Sequence, residues 1–303
     1  MIKNYFKIAL ANLMKNKGYS IISISSLTIG LGVCILLLLY VSHELSYDRY
    51  HPKADNIYRL CQEVHPYQAP GAAKLLADNL PEIKNYARIL PRDNKTIQFK
   101  DKRFREDKVA WVDPSLFEIF SFKFVNGSAE NSLQQPGTAV ISEKIAHKYF
   151  GDKNPIGKIF KVDNEYDYTV TGVIADIPQN SHFTFDIFMT LEDGDMMFGS
   201  DWMDNWGWWN FLLYFEMQEE FSKPDLETII SQLLKNPNEP EAPLPVITLQ
   251  NLKDIHLYSS HFLGDVQPQN SIIYVLIFSA IGLLILLIAS FNYVNLLTAN
   301  ATT

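Results

Sequence analysis

An α+β extracytoplasmic domain flanked by two transmembrane α-helices is the fold class that this sequence predicts. Two long apolar runs without a charged side chain lie near its ends, at residues 19–41 and 271–291. About 20 helical residues rising 1.5 Å each match a hydrocarbon core of about 30 Å, so each run is long enough to cross a bilayer. The charge is unevenly spread, and all 34 acidic residues fall within 42–270. In that middle segment strand-like and helix-like stretches alternate, and several strand pairs are adjacent in sequence. Such a mixed order suits α+β better than a doubly wound parallel sheet.

In residues 1–18, Ile2, Phe6, Leu10 and Leu13 recur at helical spacing, with Lys3, Lys7 and Lys15 elsewhere around the wheel. The pattern predicts an amphipathic helix lying in the cytoplasmic interface. Lysines beside a membrane span stay on the cytoplasmic side, which places the N-terminus inside and residues 42–270 outside. The first apolar run exceeds the 7–15 residues usual for a signal-peptide core, and no small-x-small cleavage site follows Tyr40. Its inner half is rich in Ser, Thr and Gly. Ser26 and Gly30 stand four apart, and Gly32 follows. Small residues let a second helix approach closely, so these three, with Gly282 in the second run, are the candidates for helix–helix packing. No Lys or Arg closes the second run. The expectation is therefore that the chain is the N-terminal part of a longer protein, with basic residues to follow.

Between the spans, Asn56–Val64 alternates apolar and polar residues as a half-buried strand does. Gly71–Leu80 predicts a short helix stopped by Pro81, and Ile83–Leu90 a strand. Thr96–Phe99 and Phe104–Val112 predict a hairpin around Lys100–Lys102. Asp113 followed by Pro114 reads as the cap and first residue of a helix reaching Phe120. Ser142 caps a further helix over 143–150, which Gly151 ends. Residues 158–162, 166–174, 183–189, 211–217 and 246–249 predict strands, and 224–234 a helix. The proline-rich stretch 236–245 reads as a stiff exposed linker.

The motifs exclude several kinds of chemistry. Gly151–Lys158 imitates a phosphate-binding loop, but five residues separate its glycines and Ile159 stands where a magnesium-binding hydroxyl is needed. His43-Glu44 opens like a metalloprotease helix, but Tyr47 occupies the second histidine position. The seven histidines are scattered without ligand spacing. No catalytic residue, metal site or cofactor is expected. An acidic domain without a basic stripe argues against nucleic-acid binding. Cys34 and Cys61 read as free thiols, the first being a small apolar residue within a span. Four of the five tryptophans, Trp202, Trp206, Trp208 and Trp209, fall within ten residues. Such a cluster can grip a ligand or lipid or seal an interface; an aromatic minicore under a long loop is the favoured reading.

Several stretches together suggest a family. Ala139–Lys158 and Tyr168–His182 resemble the periplasmic core domain of MacB/FtsX-type ABC transporter permeases. Asn12–Lys17 and Phe291–Ala299 are similar to the family's entry into its first span and the end of its second, and Glu44–His51 resembles Bacteroidetes-like members. The resemblance implies an outer domain with a porter-like part and an inserted second lobe, and residues 292–303 as the start of a cytoplasmic coupling region. It implies an inner-membrane location with a periplasmic domain. The implied partners are an ABC ATPase subunit, a second permease copy forming a dimer, membrane lipid, and a periplasmic adaptor or outer-membrane partner. The implied role is mechanotransmission: ATP hydrolysis elsewhere moves the outer domain for efflux or lipoprotein release. A two-span receptor with an outer ligand-sensing domain is the alternative.

Overall fold

The computed structural model describes residue 14 and residues 17–235, 241–266 and 269–301. The interfacial helix expected over 1–18 and much of the linker expected over 236–245 lie outside them. The chain forms two units, one of residues 1–46 with 271–303 and one of residues 47–270.

The first unit contains helices α1 (Lys17–Glu44) and α8 (Ile272–Ala301). Within them Ile24–Glu44 and Ile272–Val294 are long and apolar enough to cross a membrane. Both run beyond the expected spans, because nothing in the flanking sequence breaks the helical hydrogen bonding.

The second unit is built on one sheet of 13 strands. In chain order its elements are β1 (Ile57–Gln62), β2 (Tyr67–Gln68), α2 (Ala72–Asn79), β3 (Ile83–Arg92), β4 (Lys95–Phe99), β5 (Lys102–Glu106), β6 (Val109–Val112) and α3 (Leu116–Ile119). There follow β7 (Phe124–Asn126), β8 (Thr138–Ser142), α4 (Glu143–Phe150), β9 (Ile159–Val162), β10 (Tyr166–Ile174), β11 (Ile187–Thr190) and α5 (Gly194–Phe198). β12 (Phe211–Met217), α6 (Lys223–Leu233), β13 (Ile247–Asn251) and α7 (Ile255–Tyr258) complete it. The sheet order is β13-β1-β12-β3-β6-β11-β8-β10-β9-β4-β5, with β2 beside β12 and β7 beside β10. β8 pairs with β10 in parallel, as does β6 with β11, and the remaining pairs are antiparallel.

Two cores lie on the two faces of this sheet, since successive strand residues point to opposite sides. Leu90, Trp111, Ile141 and Leu213 join the core packed by α2, α4 and α6. Their neighbours Ile89, Ala110, Val140 and Leu212 join the other, which α3 and a phenylalanine cluster fill. Central strands buried on both faces read as continuous apolar runs, such as Val109–Val112.

Three sequence expectations are corrected. Phe104–Val112 is two strands: β5 pairs with β4, whereas β6 sits between β3 and β11. Asp113 does not cap α3 with its side chain; its carboxylate accepts from Arg88 Nε at 2.8 Å and Arg88 Nη2 at 2.7 Å. The guanidinium occupies both carboxylate oxygens and neutralises their charge, which a single cap hydrogen bond from a backbone N–H cannot do. The strand expected over 183–189 starts only at Ile187, because Phe183 and Phe185 leave the ladder to fill the second core. The α4 helix carries the expected ends. Ser142 Oγ accepts the Ile145 N–H, and Gly151 takes φ 65°, open to glycine without strain.

Candidate functional site

Within the first unit α1 and α8 pack antiparallel along a stripe of small residues. A Cβ on Gly30 would stand 3.4 Å from Ala289 Cβ, and one on Gly282 would stand 3.7 Å from Leu37. Ser26 accepts a hydrogen bond from Asn292 at 3.4 Å, and Cys34 lies 3.8 Å from the Gly282 carbonyl. Tyr40 and Phe278 meet edge to face at 5.2 Å. Gly32 lies off this stripe, with no atom within 4 Å of where its Cβ would be. The outer faces stay apolar and exposed, as at Ile29, Leu36 and Leu276.

In the second unit the first and last residues are fastened to the same place. Tyr47 stacks flat on His256 with ring centroids 3.4 Å apart. The Asn270 N–H donates to the His256 carbonyl at 3.0 Å. Next to Tyr47, Asp48 is fully buried in the left-handed region at φ 56°, an uncommon conformation for a residue with a side chain. Its carboxylate accepts from Ser181 Oγ and the His182 N–H, both at 3.2 Å, and faces His182 Nδ1 at 2.9 Å. His182 Nε2 meets the Tyr214 hydroxyl of β12 at 2.7 Å. Tyr50 donates to Ser181 at 3.1 Å. Burial pushes the Tyr214 and Tyr50 hydroxyls above their ordinary range, so both remain protonated. His51 accepts the Ser121 N–H through Nδ1, and burial lowers it to about 4. It is therefore held neutral.

A second buried network lies near the other end. Arg59 of β1 is wholly buried and pairs with Asp265 at 2.8 Å. It also donates to Gln250 at 2.8 Å, and Gln250 in turn donates to Ser259 at 2.8 Å. Residues next to both ends of this unit are thus tied to β12 and β1, adjacent strands within the sheet. Only weak notice of these networks is local in the sequence. The histidines lack motif spacing, yet Glu44–His51 and Tyr168–His182, two of the stretches that carried the family resemblance, hold Asp48 and His182, which pair here.

The four clustered tryptophans divide into two pairs. Trp202 is buried over Phe211, with its face 5.2 Å from the Arg88 guanidinium, and Trp208 packs edge-on against Phe211 at 5.3 Å. Trp206 and Trp209 are 48% and 40% exposed. They line a groove of about 830 Å³ together with Gln62, Glu63, Gln68, Leu75, Leu234 and Lys235. Gly71 lets the start of α2 approach this loop: a Cβ there would meet the Met203 carbonyl oxygen at 2.6 Å.

A family model described as the MacB-like periplasmic core domain matches residues 20–232. The chain belongs to this family. It is a MacB-like member of the ABC transporter permeases, and its α+β sheet domain stands between two apolar helices. Among solved structures, a domain from a protein of Porphyromonas gingivalis described as a permease is similar at a TM-score of 0.57 and 17% identity, over 72% of this chain and 95% of that one. At that identity the likeness is one of fold. The periplasmic region of MacB from Actinobacillus actinomycetemcomitans gives a TM-score of 0.47 at 13% identity, over 66% and 90% of the two chains. The extracellular domain of the noncanonic ABC-type transporter YknZ from Gram-positive bacteria gives 0.47 at 13%, over 65% and 100%. No curated protein matches by sequence. In this MacB-like permease, Ser26, Gly30 and Gly282 lie between the two helices, and Trp206 and Trp209 line the groove.

Proposed function

We propose that this chain is the N-terminal part of a permease subunit in a MacB-like ABC exporter, and that it transmits force without catalysing a reaction. ATP hydrolysis in a partner ATPase would tilt the two spans, residues 19–41 and 271–291, in a dimer of permeases. The domain over 42–270, facing the periplasm, would move with them and drive efflux or lipoprotein release. A periplasmic adaptor or outer-membrane partner would receive what is moved.

The observation that carries this reading is the joint hold of His256 on Tyr47 and Asn270, the first and last residues of the sheet unit. A pull arriving through either end reaches the same buried point and, through Asp48 and Arg59, the sheet. Packed elements respond to such a load by hinge or shear displacement rather than by continuous stretching.

The test is purification from native membranes in mild detergent. Copurification of an ABC ATPase, with hydrolysis in the complex and none by the chain alone, is expected. Robust hydrolysis by the chain alone, or a kinase or methyl-accepting partner in place of the ATPase, would contradict the proposal; the latter outcome would favour the receptor reading.

A further inference from the structure

We propose that the outer edge of β5 receives an extended polypeptide segment in which acidic and apolar residues alternate, added to the sheet as a further strand. β5 is the last strand at one end of the sheet, and among the described residues no strand lies beyond it. The other end is closed. At β13 the Leu249 N–H donates to the Glu227 carboxylate of α6 at 2.8 Å, so a side chain stands where a strand would bond. An antiparallel edge strand leaves alternate backbone N–H and C=O groups unused. Among the described residues Arg103, Phe104 and Arg105 form no backbone bond outside their ladder with β4.

The side chains of this edge alternate in chemistry. Arg103 and Arg105 are exposed, and among the described residues neither guanidinium has a hydrogen bond or ion pair. Phe104 points to the opposite face, as strand geometry requires. It packs edge-on against Tyr149 of α4 at 5.7 Å, with Lys148 Nζ 4.7 Å from its ring, yet stays 45% exposed. The surrounding charge has the opposite sign to the rest of the domain. Residues 94–108 hold six basic and three acidic side chains, whereas 42–270 as a whole hold 22 and 34.

These features choose among occupants. In a second copy of β5 paired about Phe104, Arg103 would stand opposite Arg105, and like charges directly opposite are destabilising. Charged side chains guard sheet edges in this way. An exposed phenylalanine between them gives no such protection. An anionic polysaccharide would meet the arginines and leave the backbone groups and Phe104 unmatched. A strand reading acid, apolar, acid places a carboxylate opposite each arginine, an apolar side chain beside Phe104 and its own backbone on the free edge. That is strand addition, in which main-chain bonds give affinity and alternate side chains give specificity.

The test uses the full chain in detergent and a capped synthetic peptide alternating glutamate and valine. Its comparators are a peptide of the same composition with the glutamates in one block, an alternating lysine–valine peptide and dextran sulfate. Saturable binding of the alternating acidic peptide is expected, together with slowed amide hydrogen exchange over 102–106. Arg103→Glu combined with Arg105→Glu should weaken binding about tenfold or more. Phe104→Ala should weaken it with the native circular dichroism retained; all three side chains are exposed, so these variants should fold. The same change of charge at exposed Lys84 and Lys123, as Lys84→Glu with Lys123→Glu, should leave binding intact. Absence of binding at millimolar concentration, equal binding of the block peptide or of dextran sulfate, or binding without protection of 102–106 would overturn the proposal. Protection of 102–106 in the free chain that rises with its concentration would assign the edge to a second copy and overturn it as well. The readout needs no ATPase, so it stands or falls separately from the transport function.

Discussion

His51 carries a pH dependence whose sign follows from its burial. Its ring is lowered from the ordinary 6.5 to about 4, chiefly because burial penalises the charged form. Between those values the unfolded chain binds a proton that the folded one does not, so stability is full above about pH 6.5 and declines as the pH falls towards 4. The contribution at stake is about 3 kcal/mol. Denaturant titrations across that window should show the decline, and His51→Phe should flatten it. A slope that survives the substitution would assign the effect to other groups. Arg59 is wholly buried against Asp265, so Asp265→Ala leaves an unpaired internal charge and should cost about 3–5 kcal/mol in chemical denaturation. A loss below about 1 kcal/mol, the range of an exposed pair, would mean that water reaches the arginine. Cys61 is buried, which raises its thiol to about 11, so it should resist maleimide until the domain is unfolded.

The helix pair offers a contrast within one element. Gly30 sits 3.4 Å from Ala289 as it would carry a Cβ, and Gly32 meets nothing. Gly30→Leu should therefore separate the helices and lower the melting temperature in detergent. Gly32→Leu should leave it nearly unchanged. Equal effects would mean that the stripe through Ser26, Gly30 and Cys34 is not the packing surface. The same region shows what the sequence could express. Charge-free length announces a spanning helix, and four-residue spacing of small side chains announces close approach, because both are local properties. Element identity was legible where alternation or capping was local, as at the strand Ile57–Gln62 and the Ser142 cap of α4. It failed at Phe104–Val112, where two successive strands part company and the second joins β3 and β11. Sheet order is a non-local property that no window of residues encodes. The network of Asp48 and His182 was hidden for the same reason, since 134 positions separate the pair.

For the molecule as a whole, the hold of His256 on both ends of the sheet unit is the feature on which the proposed force transmission rests. His256→Ala removes the stack with Tyr47 and leaves the backbone bond from Asn270. In the complex proposed with an ABC ATPase it should lower transport while ATP hydrolysis continues, a separation that a general loss of folding would not produce. Loss of hydrolysis in parallel would point to collapse of the assembly instead. All of this presupposes that α1 and α8 cross the bilayer and hold the sheet on its outer side. The most direct measurement is labelling of Glu165→Cys, at an exposed position between β9 and β10, in a chain free of other cysteines. With the outer membrane permeabilised and the inner membrane intact, an impermeant maleimide should modify this thiol fully. Modification only after the inner membrane is broken would place the sheet in the cytoplasm and contradict the assignment.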